Sequence, residues 1–390
     1  MITVEEARAL LFDLVRVLPS EDVPLTEAAG RVLARDVAAT RDQPPFAASS
    51  MDGYAVKAAE VEMHAMFKVI GEAAAGHGFD GSVGAGQAVR IFTGAPVPDG
   101  ADFVVIQEDV ERRGNLITVK DDPGTKTNIR PAGVDFTKGT TIEAPRLLRA
   151  EDVALMAAMN IASVPVTRIP DIALISTGDE LVMPGEDPGP NQIIASNTFG
   201  LKALLEGFGA HVRILPIARD TVSSLETAFS LAEGADMVVT IGGASVGDHD
   251  LVGQVAAGLG MERSFYKIRM RPGKPLMAGR MGDAAMVGLP GNPVSAMVCG
   301  YLFLAPMVRR MLGLEETLPP FRRARLAAPI DKNGPREHYM RAVLDDNGLR
   351  ACADQDSSLL SVLARANALL VRPPEDPARD SGDEVLYLPL

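Results

Sequence analysis

From residue 171 to residue 313 short apolar runs alternate with amphipathic stretches of helix length. IALIS leads into a stretch with Leu201, Leu204, Leu205 and Phe208 on one helical face, and RILPI into one with Leu225, Ala228, Phe229 and Ala232; MVVTI and AAMV follow. Strands parted by helices of this size pair in parallel, because the crossover needs a dozen or more residues. The alternation therefore predicts a doubly wound, mostly parallel α/β sheet. Such sheets bind ligands beyond the carboxyl ends of their strands. That rule gathers four loops at one edge: TGDE at 177–180, ARDT at 218–221, GGASVGDHD at 242–250 and GLPGNPVS at 288–295.

The flanking sequence has other periods. At 390 residues the chain is long enough for two to four domains. Residues 3–18 read as an amphipathic helix, with Thr3 and Glu6 spaced as a capping box, and 149–160 as a second helix that could serve as its packing partner. Between them FKVI, AVRIF, FVVIQ and LITV alternate with Gly, Pro and Asp punctuation, the pattern of a β-rich insert. After Pro319-Pro320 the short strands RARLA, YMRAVL, LRACA, LLVRP and EVLYL predict a small all-β domain. The expected division is 1–45 with 143–170 as a discontinuous helical and extended domain, then 46–142, 171–317 and 318–390.

With 38 Lys+Arg against 51 Asp+Glu the net charge is −13, so a whole-surface grip on nucleic acid or an anionic membrane is disfavoured. No apolar run reaches the ~18 residues of a membrane span. The start MITVEEARALLFDLV carries acids where a signal peptide is basic. With Cys299 and Cys352 the only cysteines, the expectation is a cytoplasmic protein without disulfides or a thiolate zinc site. The five histidines never form HExxH, which favours a hard cation on oxygen ligands if a metal is bound.

Anion chemistry must then be local. Residues 261–280 hold Arg263, Lys267, Arg269, Arg271, Lys274 and Arg280 against the single acid Glu262, and on a strand Lys267, Arg269 and Arg271 share one face. Such a patch suits a phosphate or oxyanion clamp; the plainer reading is a solvated sheet edge. In GNPVS, Asn292 can cap, Pro293 suits the first helical position, and the helix runs on to Gly313, offering free N–H groups and Ser295 to an oxyanion. Asp52, Asp135, Glu180, Asp220, Asp248 and Asp250 stand in loops, where each alone is most often a turn or cap residue. Several meeting an anionic substrate would require a cation such as Mg²⁺. Gly76 to Gly81 spells GxGxxG without a following helix, so it is no dinucleotide fingerprint, and PGKP is no Walker loop. Gly243-Ala244-Ser245-Val246-Gly247 matches a hydrolase elbow after a strand, with His249 or His338 as base, and leaves a serine hydrolase as a minority alternative.

SSMDGYAV at 49–56, FTGAPVPDGAD at 92–102, IRPAGVD at 129–135, STGDEL at 176–181, GGASVGDHD at 242–250, RPGKP at 271–275 and GLPGNPVSA at 288–296 follow one another in the chain. Together they resemble the molybdopterin molybdenumtransferases, the MoeA family to which the gephyrin E domain belongs. The resemblance implies a four-domain, elongated homodimer acting in the last step of molybdenum cofactor synthesis. Molybdate would be inserted into adenylylated molybdopterin and AMP released with Mg²⁺, in a cleft between two subunits. It carries Asp52, Thr93 and Asp135 to one side of that cleft, and Glu180, Asp220 and Asp250 to the other. Asp220 and Asp250 would position metal or phosphate, and Glu180 would act in acid–base chemistry or bind pterin. Thr177, Ser245, Lys267, Arg271, Lys274, Pro290, Pro293 and Ser295 would bind substrate. A molybdopterin adenylyltransferase is an implied partner. The chain departs from the family's usual pattern at PPFAASS, at Val134 and at Arg271, where many members have lysine. A scaffold protein that keeps fold and dimer, or a tungstate-specific paralogue, is the alternative.

Overall fold

The computed structural model describes residues 1–243, 251–314 and 321–390. In the α/β region the strands stand in the order His211–Ile214, Asp171–Ser176, Met237–Ile241, Ala284–Leu289, Met277–Met281 and Glu262–Tyr266. The first four run parallel, Met277–Met281 runs against them, and Glu262–Tyr266 pairs antiparallel with Met277–Met281. Side-chain alternation places Ile172, Leu174, Met237, Val239, Val287 and Leu289 in one core with Leu201, Leu205 and Val298. Ala173, Ile175, Val238 and Met286 enter a second core with Leu225, Phe229 and Val255. Both faces are thus covered by helices, which is why these strands read as unbroken apolar runs.

The helix Pro293–Cys299 continues through a π-turn, Gly300–Leu304, into Ala305–Met311. These 19 residues are apolar and long enough to cross a membrane, contrary to the expectation from apolar runs alone, yet 78% of the stretch is buried inside the fold. It serves as a core helix.

At the N-terminus the capping box forms: the Thr3 hydroxyl accepts from the Glu6 N–H at 3.1 Å and the Glu6 carboxylate from the Thr3 N–H at 2.7 Å. The helix is Val4–Asp13, shorter than 3–18. Val15 and Val17 are β-branched, and the residue before Pro19 is biased away from helical geometry. Its partner also differs from expectation. Val4, Ala7, Leu11 and Leu14 pack with Met307 and Met311 of the α/β core, whereas Met156 of the helix Ala150–Ala158 lies in a separate core with Leu33 and Val166. Helical periodicity specifies an apolar face but not what covers it.

That separate core supports a four-stranded sheet in the order Ser20–Pro24, Ser163–Thr167, Val32–Leu33, Arg146–Leu147. Residues 53–119 form a six-stranded sheet, ordered Phe103–Ile106, Gly53–Val56, Gln87–Ile91, Met66–Ala73, Leu116–Val119, Val110–Arg113. Tyr54, Val56 and Val105 face one core and Ala55 and Val104 the other. A Cβ on Gly53 would stand 2.0 Å from the Val105 carbonyl oxygen, so glycine alone allows the pairing that fixes its neighbour Asp52.

The C-terminal sheet runs Met270–Arg271, Glu337–Asp345, Ala368–Arg372, Glu384–Pro389, Arg322–Arg325, with Gly348–Ala351 paired to the end of Glu337–Asp345. Its first strand comes from the middle of the chain. Met270 and Arg271 pair in parallel with Glu337 and His338, so the sheet crosses the expected boundary between 171–317 and 318–390.

Candidate active site

At the carboxyl edge of the parallel strands, two of the expected loops are bonded together. The Gly178 N–H donates to the Ala218 carbonyl at 3.1 Å, and the Asp220 N–H to Asp179 Oδ1 at 3.3 Å. Arg219 Nη1 donates to the carbonyls of Asp179 at 3.0 Å and Leu181 at 3.2 Å. Gly178 has φ +144°, and a Cβ there would meet the Glu180 carboxylate at 2.2 Å. The Glu180 side chain is therefore folded back over the loop, close to the Asp220 loop. Thr221, not Asp220, caps the next helix by accepting from the Ser224 N–H, which leaves the exposed Asp220 carboxylate free of a capping task. Thr177 is buried and its hydroxyl has no partner among the described residues. Ser245, His249 and Asp250 lie outside the described residues.

The cationic segment is a hairpin rather than a continuous strand. Lys267 has φ +74° and breaks the strand that would have put it on one face with Arg269 and Arg271. The Lys267 N–H donates to the Leu276 carbonyl at 3.0 Å and the Ile268 N–H to the Lys274 carbonyl at 3.0 Å. The chain start laces one side: Ile2 N–H donates to Lys267 O at 3.3 Å, and Arg269 N–H to Ile2 O at 2.8 Å. Exposed Arg271 and Lys274 flank Pro272 and Gly273, while the Lys267 ammonium sits 5.0 Å from the Tyr266 ring.

A residue the sequence did not single out lies near enough for the charge of Arg271 to act on it. Arg341 is 0% exposed, yet its Nε and Nη1 have no partner among the described residues. Only Nη2 is engaged, donating to the Asp356 carbonyl at 2.9 Å and the Asp354 carbonyl at 3.4 Å. Burial lowers its pKa below the ordinary arginine value. One residue on, Ser357 reaches the GNPVS turn. Its carbonyl accepts from the Val294 N–H at 3.1 Å and its hydroxyl from Asn292 Nδ2 at 2.9 Å. Asn292 occupies the cap position without a side-chain cap bond, since its amide is committed to Ser357. Pro290 and Ser295 are buried and Pro293 opens the first turn. Arg341 is thereby held near the helix start that the sequence pointed to. A lone arginine in a strand carries no motif, and its mate Ser357 is 65 residues from Asn292, so local patterning had no signal for either.

His338 is 7% exposed with Nε2 unpartnered. Burial, aided by the charges of Arg271, Arg341, Arg336 and Arg372, pushes its pKa down to about 4. The ring is neutral near pH 7.

In the insert, Asp52 Oδ1 accepts from both the Thr93 N–H and the Thr93 hydroxyl, each at 2.8 Å, and these bonds hold its carboxyl below the usual range. Asp135 is exposed, with its N–H donating to the Gln43 carbonyl. Among the described residues no hydrogen bond or ion pair joins Asp52, Thr93 or Asp135 to Glu180, Asp220, Arg271 or Arg341. Nor do three His, Cys, Asp or Glu side chains there converge into a metal-holding group. A cavity of about 1030 Å³ opens at the opposite, amino end of the parallel strands, lined by Asp13, Glu233, Asp236 and Asp283; of the cationic segment it contains Arg280 alone.

Residues 2–160 match the MoeA N-terminal region (domain I and II), 173–310 the probable molybdopterin binding domain, and 323–390 the MoeA C-terminal region (domain IV). A molybdopterin molybdenumtransferase of Nostoc sp. is 35% identical over 100% of this chain and 94% of its own length. One of Haemophilus influenzae is 34% identical over 100% and 98%. The crystal structure of a molybdopterin biosynthesis MoeA protein from Pyrococcus horikoshii superposes with a TM-score of 0.87 at 30% identity, covering 100% of this chain and 99% of that one. With all three regions matched in order along its length, the chain belongs to the MoeA family of molybdopterin molybdenumtransferases.

Proposed function

We propose that this protein inserts molybdate into adenylylated molybdopterin and releases AMP, a step of molybdenum cofactor biosynthesis. The observation that carries this reading is Arg341, a wholly buried guanidinium with two nitrogens that no described residue uses, near enough to Arg271 for that charge to act on it, in a chain of net charge −13. Unpaired buried donors are costly unless a ligand uses them. A compact oxyanion supplies the acceptors, and the fork geometry of arginine suits it. Arg341 and Arg271 would grip molybdate, while Lys274 adds a point charge for the substrate's phosphates.

The carboxylates meet the other end of the substrate. Asp220, whose N–H donates to Asp179, and Glu180 on the neighbouring loop are hard oxygen donors that do not converge into a ready-made site, so Mg²⁺ would be held by one or two of them and completed by phosphate oxygens. Asp220 and Asp250 would hold the ion, which when bound neutralises charge on the phosphoanhydride. Glu180, folded over Gly178, would bind the pterin or move a proton. Asp52 and Thr93 form a preorganised pair that would reach the cleft from a second copy of the chain. The site would then be complete only in the homodimer.

Purified protein given adenylylated molybdopterin and Mg²⁺ should release AMP only when molybdate is added, with active cofactor formed in parallel. Binding without turnover, in a folded dimer supplied with either molybdate or tungstate, would favour a scaffold instead. Asp220→Ala should lower Mg²⁺-dependent turnover by at least about tenfold. Because the side chain is exposed and caps nothing, the stability change should stay within about 0.5 kcal/mol. An equal loss of stability and activity would make Asp220 a structural residue.

A further inference from the structure

His338 lies at the centre of a row that crosses three strands. Arg271 is its register partner on one side and Arg372 on the other. Register partners on neighbouring strands project to the same face, so the three side chains stand side by side. The two arginines differ sharply. Arg372 is 2% exposed and satisfied: Nε donates to Asp376 Oδ2, Nη2 to the Pro377 carbonyl at 2.7 Å, and the Asp376 charge neutralises it. Arg271 is exposed at the sheet edge and has no ion-pair partner among the described residues. Between them His338 presents a buried Nε2 with nothing to bond.

A cation that must grip an anion needs orientation without neutralisation. A carboxylate in place of His338 would orient Arg271 and cancel its charge, as Asp376 does for Arg372. A neutral imidazole with its proton on Nδ1 offers a lone pair on Nε2 and leaves the charge intact. We propose that His338 is the positioning residue for Arg271: Nε2, which bonds neither arginine in the ligand-free protein, accepts an Arg271 N–H when an oxyanion is bound and so aims that cation at it. The inference rests on the oxyanion reading of Arg271 given above; Arg341, three residues along the strand from His338, faces the other side of the sheet.

The test is calorimetric titration of the intact protein with molybdate alone, without nucleotide substrate. His338→Leu should weaken molybdate binding about tenfold, the scale of a lost hydrogen bond to a charged group. His338→Gln, whose amide oxygen can stand in for the Nε2 acceptor, should restore most of the affinity. In an Arg271→Met background His338→Leu should cost nothing further. In turnover assays His338→Leu should raise the KM for molybdate while leaving kcat in place. Equal losses in the Leu and Gln variants, an undiminished loss in the Arg271→Met background, or no molybdate binding by the unmodified protein would each overturn the inference. Molybdate binding with this variant pattern but without AMP release would instead overturn the transferase reading and leave the role of His338 standing.

Discussion

Arg341→Met makes the ligand-free protein more stable and removes most of its activity. The guanidinium is 0% exposed and two of its nitrogens bond nothing, so the folded protein bears a desolvation cost that the unfolded chain avoids. Methionine fills comparable volume without a charge. The carbonyls released belong to Asp354 and Asp356, both exposed residues where water can replace the lost donor. The expected gain is about 1–3 kcal/mol, read as a higher denaturant midpoint. Turnover should fall by at least about 100-fold, the scale of losing a preorganised donor to a developing or bound anion. A fall in both stability and turnover would show that Arg341 holds the 352–357 segment rather than a substrate. A rise in stability with normal turnover would remove the oxyanion site from this place.

Acidification should destabilise the protein through His338 before the carboxylates with lowered pKa values titrate. The pKa of the folded state, about 4, lies below the ordinary value of 6.5. The unfolded chain therefore takes up a proton that the native state refuses. Stability is present in full above pH ~6.5 and is lost as pH falls towards 4, by roughly 2–3 kcal/mol in all. Asp52, Asp152, Asp171 and Asp376 have lowered pKa values, so their contributions disappear in a separate window below the ordinary carboxylate value. Urea midpoints at pH 7, 5.5 and 4.5 should decline for the unmodified protein and stay nearly level over that range for His338→Gln. Parallel declines in both would assign the acid sensitivity to other groups.

Local signals were read well where a rule links neighbours. The Thr3 and Glu6 capping box forms as spaced, and the apolar runs IALIS and MVVTI occupy the sheet they imply. The helix after GNPVS runs through to Met311. The loops TGDE and ARDT are bonded together at the carboxyl edge, because strand direction and right-handed crossovers leave little freedom in where such loops emerge. Local patterning carries no signal where one residue changes the backbone. Lys267, at φ +74°, turns a supposed strand face into a hairpin, and a lysine in a basic run gives no warning of it.

By itself the sequence determined the periods of its strands and helices, their caps, and the order of loops along one sheet edge, all of which depend on residues a few positions apart. Family membership was legible for the same reason, being carried by contiguous motifs. Only the tertiary structure decided that Ile2, Arg269 to Arg271 and Glu337 to His338 share one edge, that the first helix packs on the α/β core, and that Arg341 is buried with donors to spare. Those contacts join segments tens to hundreds of residues apart, and an apolar face or an arginine side chain specifies that it must be covered or paired without specifying by what. The covering element is chosen when the whole chain packs, and so is the charge cluster on which we base the proposed chemistry.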